Sequence, residues 1–503
     1  MITYWWLNEM PPISGALRAV FYAGLLILCI VDHPSPLHSA KVIAGTEPAF
    51  YTPVGAMRML GLRWVGPRKL SVVAVLTVVA WTAATVGFLQ PVSGILTFLG
   101  FAFLHKVNAG ALGSNHSTHS ALYALLCMSF SVSYDYSLDG FLARHTHWPL
   151  LVPEHSVLES GFAPLLLLVF LAYTIFAGGF AKLRYGRHGW LDGSALRYYL
   201  EESAVAARWP RLSRLLVDSP QLCRYLAWST LVVELSAPAA IASSSLRMPL
   251  ILAWACLHIC ILLVMMPAYW VQMWCYLLLL DWPWILAAVS GRQQGEAPEA
   301  DGSGLGGAVF TAVGLLACAA LVLVLLRESE QWPFTSVPMY SNGPAAGAVR
   351  LPAREELHSR AVRARRGRHA AWQRAWVGEE VMEDIWITPV GDGEPKRLFH
   401  LLHEHGVAKK VVRWSQYSKV VRNIAIADVA ARPAGCLDPD TADREYPATR
   451  FLRTVAPVVR NALPDWQQYE RLDLVCRTDS GGVVIGRAGL SEESVRRAPS
   501  TRP

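Results

Sequence analysis

Four groups of ionisable or amide side chains fall inside long apolar runs or at their ends. They are Asn115-His116-Ser117 with His119 one turn on, Asp139-Gly140, the stretch Gly178-Gly179-Phe180-Ala181-Lys182-Leu183, and Glu234 with His258. An ionisable group inside a membrane span costs ~2.5–3.5 kcal/mol on insertion scales, so such groups face a cavity or one another. Lys182 is the most telling of them. It closes the run GFAPLLLLVFLAYTIFAGGFAK, and its amine either snorkels into headgroups or sits in a pocket. In a pocket an uncharged lysine is a base, a state that apolar surroundings favour. A histidine and an amide such as His116 and Asn115 could hold a substrate oxygen by hydrogen bonds. Each group also has a plainer use. Asp139-Gly140 reads as a turn, and Glu234 with His258 reads as a polar pair joining two helices.

Helices long enough to cross a bilayer must carry these groups. Nine apolar runs lie near 14–32, 70–89, 91–108, 119–137, 162–182, 222–242, 247–266, 268–289 and 307–326, each matched to a hydrocarbon core of ~30 Å. Trp5, Trp6, Trp64, Trp148, Trp190, Trp270 and Trp282 fall near the ends of runs, as an interfacial belt would place them. The expected fold is an all-α polytopic membrane bundle of about nine transmembrane helices with a small C-terminal α+β soluble domain. Residues 1–326 make the transmembrane domain and 327–380 a Pro/Arg-rich connector lying at the surface. Residues 381–488 make the soluble domain and 489–503 a disordered tail. In the soluble part, EDIWITPVGDGEPKRLFHLL reads as strand, turn, strand, and RLDLVCRTDSGGVVIGRA as a second pair. Residues 447–463 between them have helical spacing.

The formal net charge is +7, which by itself could suggest nucleic acid. The basic residues instead cluster beside spans, with five Lys/Arg against one acid in 33–69 and six against four in 183–221. With nine spans both loops fall on one side, which the positive-inside rule makes cytoplasmic. No nucleic-acid motif is present. The eight arginines of 350–374 read as a solvated helix touching anionic headgroups. Arg18, the first basic residue, lies inside the first apolar run, so no cleavable signal peptide is expected. Of nine cysteines, most lie within spans as small apolar fillers. Cys436 and Cys476 could bridge in an oxidising compartment. His400, His403 and His405 lack an accompanying ligand motif, so no metal is expected. The hydropathy has no inverted repeat of the transporter kind.

The segment NHSTHSALYALLCMSFSVSYDYSLDGF (115–141) resembles the stretch of vitamin K-dependent γ-glutamyl carboxylase in which Asn-His-Ser leads through an apolar span to an Asp-Gly-Leu loop. FAGGFAKLRYGRHGWLDG (176–193) resembles that enzyme's segment of Ala-Gly, Lys-Lys-Leu, and Trp followed by an acid and Gly. The wider group is the HTTM (horizontally transferred transmembrane) family, whose acid-Leu-Ser and helix histidine are similar to Glu234-Leu235-Ser236 and His258. PFTSVPMYS (333–341) is similar to the bacterial members' post-membrane element. Ala181 stands where the family has the first lysine of its pair, and the 177 residues after Leu326 have no counterpart of the carboxylase's long glutamate-binding region.

The resemblance implies a multi-pass protein of the cell membrane. It implies Lys182 as the base on a reduced quinone, menaquinol or vitamin K hydroquinone, with His116 as a second catalytic residue. Asn115, His258, Glu234 and Asp139 would bind substrate. Oxygen would add to the quinol anion, and the resulting strong base would take a proton from a substrate carbon, leaving an epoxide. CO2 would enter only if carboxylation is retained, on a protein or peptide substrate. The outcome expected is a quinol- and O2-dependent oxidoreductase without a metal. The alternative is a non-enzymatic membrane partner, an immunity or assembly protein.

Overall fold

In the computed structural model the described residues are 10–31, 35–44, 64–112, 117–153, 157–159, 161–203, 207–265, 269–290, 383–391, 393–404, 446–478 and 481–491, with isolated positions elsewhere. Asn115, His116, His405, Cys436, the loop 291–306, the connector 327–380, the Arg-rich stretch and most of the last expected span lie outside them. The chain divides into two compact units. One comprises 1–38, 71–105 and 115–344, and the other 39–70, 106–114 and 345–503.

The first unit is helical, with α1 Gly15–Val31, most of α2 Pro67–Val86 and of α3 Val92–Leu112, α4 Ser117–Met128, α5 Leu138–His145, α6 Phe162–Leu191, α7 Ser194–Ser203, α8 Pro210–Val217, α9 Pro220–Leu235, α10 Ser244–Val264, α11 Trp270–Tyr276 and α12 Trp282–Ser290. Four helices, in α2, α3, α6 and α10, are long and apolar enough to cross a membrane, or up to six if each of two bent helix pairs is one span. Nine spans are not what the described residues contain. The run at 119–137 becomes the 12-residue α4 followed by irregular chain. The run at 222–242 divides into the 16-residue α9 and a single turn at Ala239–Ala242. The run at 268–289 bends by 74° between Leu279 and Trp282. A hydropathy window averages over such breaks, whereas a serine cluster or an Asp-Trp-Pro step interrupts the hydrogen-bonded ladder.

α6 is apolar all round, the pattern of a helix surrounded by protein. Of its candidate span 83% is buried, against 22% for α2 and 28% for α10. The core helix is therefore the one that carries Lys182. α6 packs on α9, α4 and α7, and α11 packs on α1 and α4. The exposed faces of α2 and α10 present Val72, Val75, Val79, Leu252 and Ile259, a surface suited to lipid tails. Two indoles tie α1 in place: Trp81 donates to the Tyr22 carbonyl and Trp274 to the Phe21 carbonyl, each at 3.0 Å.

The second unit contains an antiparallel sheet of order β2-β1-β3-β4, with β1 Glu383–Pro389, β2 Lys396–Arg397, β3 Tyr469–Thr478 and β4 Gly481–Gly489. Helices α13 Leu398–Glu404 and α14 Pro447–Ala462 pack on it. Ile385, Ile387, Leu472 and Leu474 alternate onto the helix side, where they meet Leu452, Val455 and Val459. The β3–β4 hairpin and α14 match the sequence pattern. The strand expected after the Gly-Asp-Gly turn is shorter than the pattern suggests, because Leu398, Leu401 and Leu402 follow helical spacing and fold as α13.

Candidate functional site

Lys182 lies on the buried core helix rather than at a frayed span end, because α6 continues for nine residues beyond it to Leu191. Its amine is not in solvent. The residue is 6% exposed, and Nζ makes a hydrogen-bonded ion pair with Glu234 Oε1. Glu234, near the end of α9, is itself 8% exposed. The Trp190 ring lies 5.0 Å from Nζ, with its face towards the charge. Trp190, Ala195, Ala227 and Leu231 form an apolar cluster to which Leu183 and Leu235 add. Two charges in such surroundings persist only as partners.

Glycine explains how α9 comes so close. Gly178 and Gly179 each weaken a helix by ~1 kcal/mol relative to alanine, so close packing has to justify them. A Cβ on Gly179 would stand 2.8 Å from the Glu234 Cβ and 3.3 Å from Oε2, and one on Gly178 3.9 Å from Oε1. The pair of glycines is a notch that seats the carboxylate against the helix bearing its cation. Glu234 Oε2 is buried with no hydrogen-bond partner among the described residues, so the site retains one acceptor facing the notch.

His258, on α10, is 7% exposed and pairs with a different group from the one the sequence suggests. Its Nδ1 lies 3.0 Å from the Tyr276 hydroxyl, and its ring lies 4.8 Å from that of Tyr269. Gln272, one turn before Tyr276 on α11, is buried and acts electrostatically on the same hydroxyl. α10 packs on both α9 and α11, and the Lys182 charge acts on the His258 ring. Glu234 is therefore committed to Lys182 and His258 to Tyr276. Two polar pairs on neighbouring helices stand where one Glu–His pair was expected.

Asp139 is spoken for by the backbone. Its Oδ1 accepts from the Leu89 amide at 2.9 Å and its Oδ2 from the Gln90 amide at 2.8 Å. The turn it holds runs through Gly87 and Leu89, at φ +69° and +53°, and wraps the buried Arg18. Arg18 Nη1 donates to Gln90 Oε1 at 2.8 Å and to the Ser133 carbonyl at 2.5 Å. A side chain with both oxygens on amides builds a turn, the plainer reading of Asp139-Gly140, and has little left for a substrate. His119 packs edge-on to His105 at 5.3 Å, joining α4 to α3. Asn115 and His116 precede α4 and lie outside the described residues. Among the described residues no group of His, Cys, Asp and Glu could hold a metal ion.

Sequence reasoning missed Tyr276 and Gln272, and it placed Trp190 in the interfacial belt, whereas Trp190 is 3% exposed and lies against Lys182. Tyrosine and glutamine in an apolar helix carry no signal of their own, and only the fold brings them to the ionisable groups. The chain matches no protein-family model, no curated protein and no solved structure.

Proposed function

We propose that the protein is a membrane-embedded, quinol- and O2-dependent oxidoreductase of the HTTM, carboxylase-like kind, with Lys182 and Glu234 acting as one base. The single observation that carries this reading is the buried Lys182–Glu234 pair seated in the Gly178-Gly179 notch. In the ion pair the Lys182 amine already carries its proton and Glu234 compensates its charge, so a proton from the ring would go to the carboxylate, which the ammonium holds in place. The buried, unpartnered Glu234 Oε2 is an acceptor that a ring hydroxyl would satisfy. Trp190 offers a flat apolar face beside it, and His258, oriented by Tyr276, a second polar group on the next helix. These features fit a reduced quinone. When bound, the quinol would supply the electrons for reaction with O2. The protein's own tasks are to bind the ring, accept its proton at the Glu234 carboxylate of the Lys182–Glu234 pair and exclude water. His116 and Asn115 remain in this proposal as the second catalytic residue and the amide beside it. The cell membrane is the proposed location, and a protein or peptide is the proposed substrate if carboxylation is retained.

The competing reading is a non-enzymatic membrane partner, in which the same ion pair clasps α6 to α9. The mutual satisfaction of the two charges is the observation that favours it. Incubation of the purified protein with reduced menaquinone and O2 separates the two. The oxidoreductase reading expects quinone epoxide, and a K182M/E234L protein that stays folded but loses turnover by about 10²–10⁴-fold. Absence of epoxide from wild-type protein, with a stoichiometric protein partner co-purifying, would establish the clasp.

A further inference from the structure

The short helix α8 is fastened to the end of a candidate membrane span. Trp209 N–H donates to the Leu263 carbonyl at 2.9 Å, and Ser213 Oγ donates to the Val264 carbonyl at 2.6 Å. These are carbonyls of the last turn of α10, which an unaided helix leaves without partners. The bonds fix the depth of α8 at the level where that span leaves the hydrocarbon. Around this level Ser213 and Leu216 turn inward, while Trp209 and Leu215 are 55% and 63% exposed. Arg208, Arg211, Arg214 and Arg224 are exposed on the same end of the unit. Arg208 lies over Trp270 and Arg224 over Trp228, at 5.7 and 5.1 Å. Among the described residues none of the four forms a salt bridge. The carboxylates nearby in the chain are Asp192, Glu201, Glu202 and Asp218, and Arg224 acts electrostatically on Asp192. Over 201–224 four arginines stand against three carboxylates, and Arg208, Arg211 and Arg214 are exposed.

We propose that α8 and its flanks form a binding surface for the headgroup phosphate of an anionic phospholipid. An amphipathic helix at interfacial depth, with exposed Trp and Leu between arginines, combines apolar insertion with attraction to anionic lipid. The guanidinium fork matches phosphate oxygens in pairs. Arg211 and Arg214 are one helical turn apart, so both can reach one headgroup. The surface is independent of the Lys182 site. Glu234 follows Arg224 by ten residues, which places it roughly 15 Å further along α9.

The test is titration of the full-length protein, purified in detergent, with phosphatidylglycerol and with phosphatidylcholine of the same acyl chains. Retained lipid is read by native mass spectrometry. Phosphatidylglycerol should be retained preferentially, and R211Q/R214Q should lose about fivefold of that preference for each charge removed. R211K/R214K should keep most of it, and R450Q/R453Q on the C-terminal unit should leave it unchanged. An unaltered preference in R211Q/R214Q, or its loss in R211K/R214K as well, would overturn the proposal. Displacement of the lipid by millimolar inorganic phosphate would overturn it too, because the surface would then be a free-anion site.

Discussion

Gly179 lies so close to Glu234 that the methyl group of an alanine would stand 2.8 Å from the glutamate Cβ. That contact is the geometric condition for the ion pair, since the carboxylate reaches Lys182 only because α9 can settle against a bare stretch of α6. Gly179→Ala should therefore destabilise the protein by about 1–3 kcal/mol through overpacking. Gly178→Ala, with an ordinary 3.9 Å contact, should be neutral or gain up to ~1 kcal/mol of helix propensity. Thermal midpoints in detergent measure the difference, and equal effects at the two positions would refute the notch.

The ion pair itself predicts non-additivity. Lys182→Met or Glu234→Leu alone leaves a buried charge without its partner and should cost about 3–5 kcal/mol. The double variant should recover most of that. A double-mutant cycle on unfolding free energies checks this, and additive losses would mean that the two groups are independent.

Tyr276→Phe removes the hydroxyl that His258 Nδ1 meets at 3.0 Å. The expected loss is about 1–3 kcal/mol for an orphaned buried nitrogen. If the oxidoreductase reading holds, KM for reduced quinone should rise in this variant while the Lys182 step persists. Gln272→Leu should have a weaker effect in the same direction. A KM that does not move would assign the Tyr276–His258 pair to the fold alone.

Asp139→Asn keeps the shape of the side chain but turns one of two acceptor oxygens into a donor facing a backbone amide. The expected cost is about 1–3 kcal/mol, with bound-lipid content and any quinone turnover preserved in the folded fraction. A variant of normal stability that has lost turnover would return Asp139 to the substrate site.

The sequence marks out the polar groups better than their pairings. A lysine, a glutamate and a histidine in apolar runs stand out because burial is costly for each, and the structure buries Lys182, Glu234 and His258. Lys182 and Glu234 are 52 positions apart, however, and no local pattern links them. The Gly178-Gly179 step is visible in the sequence, but its meaning depends on which helix lies opposite. Hydropathy likewise finds α2, α3, α6 and α10, and among the described residues it reads through the breaks after α4 and after Leu279. The serines that end α4 and the Leu-Asp-Trp-Pro step after Leu279 change backbone direction without lowering the average much.

The bonds from Trp209 and Ser213 to the last carbonyls of α10 have a mechanical consequence. A span whose end is free can unwind by a turn when the surrounding bilayer is thin, and can extend when it is thick. Here the terminal turn is pinned to a neighbouring helix, so that accommodation is closed. A mismatch of thickness must then be met by tilting α10 or by deforming the lipid around it, each at a fraction of a kcal/mol per ångström.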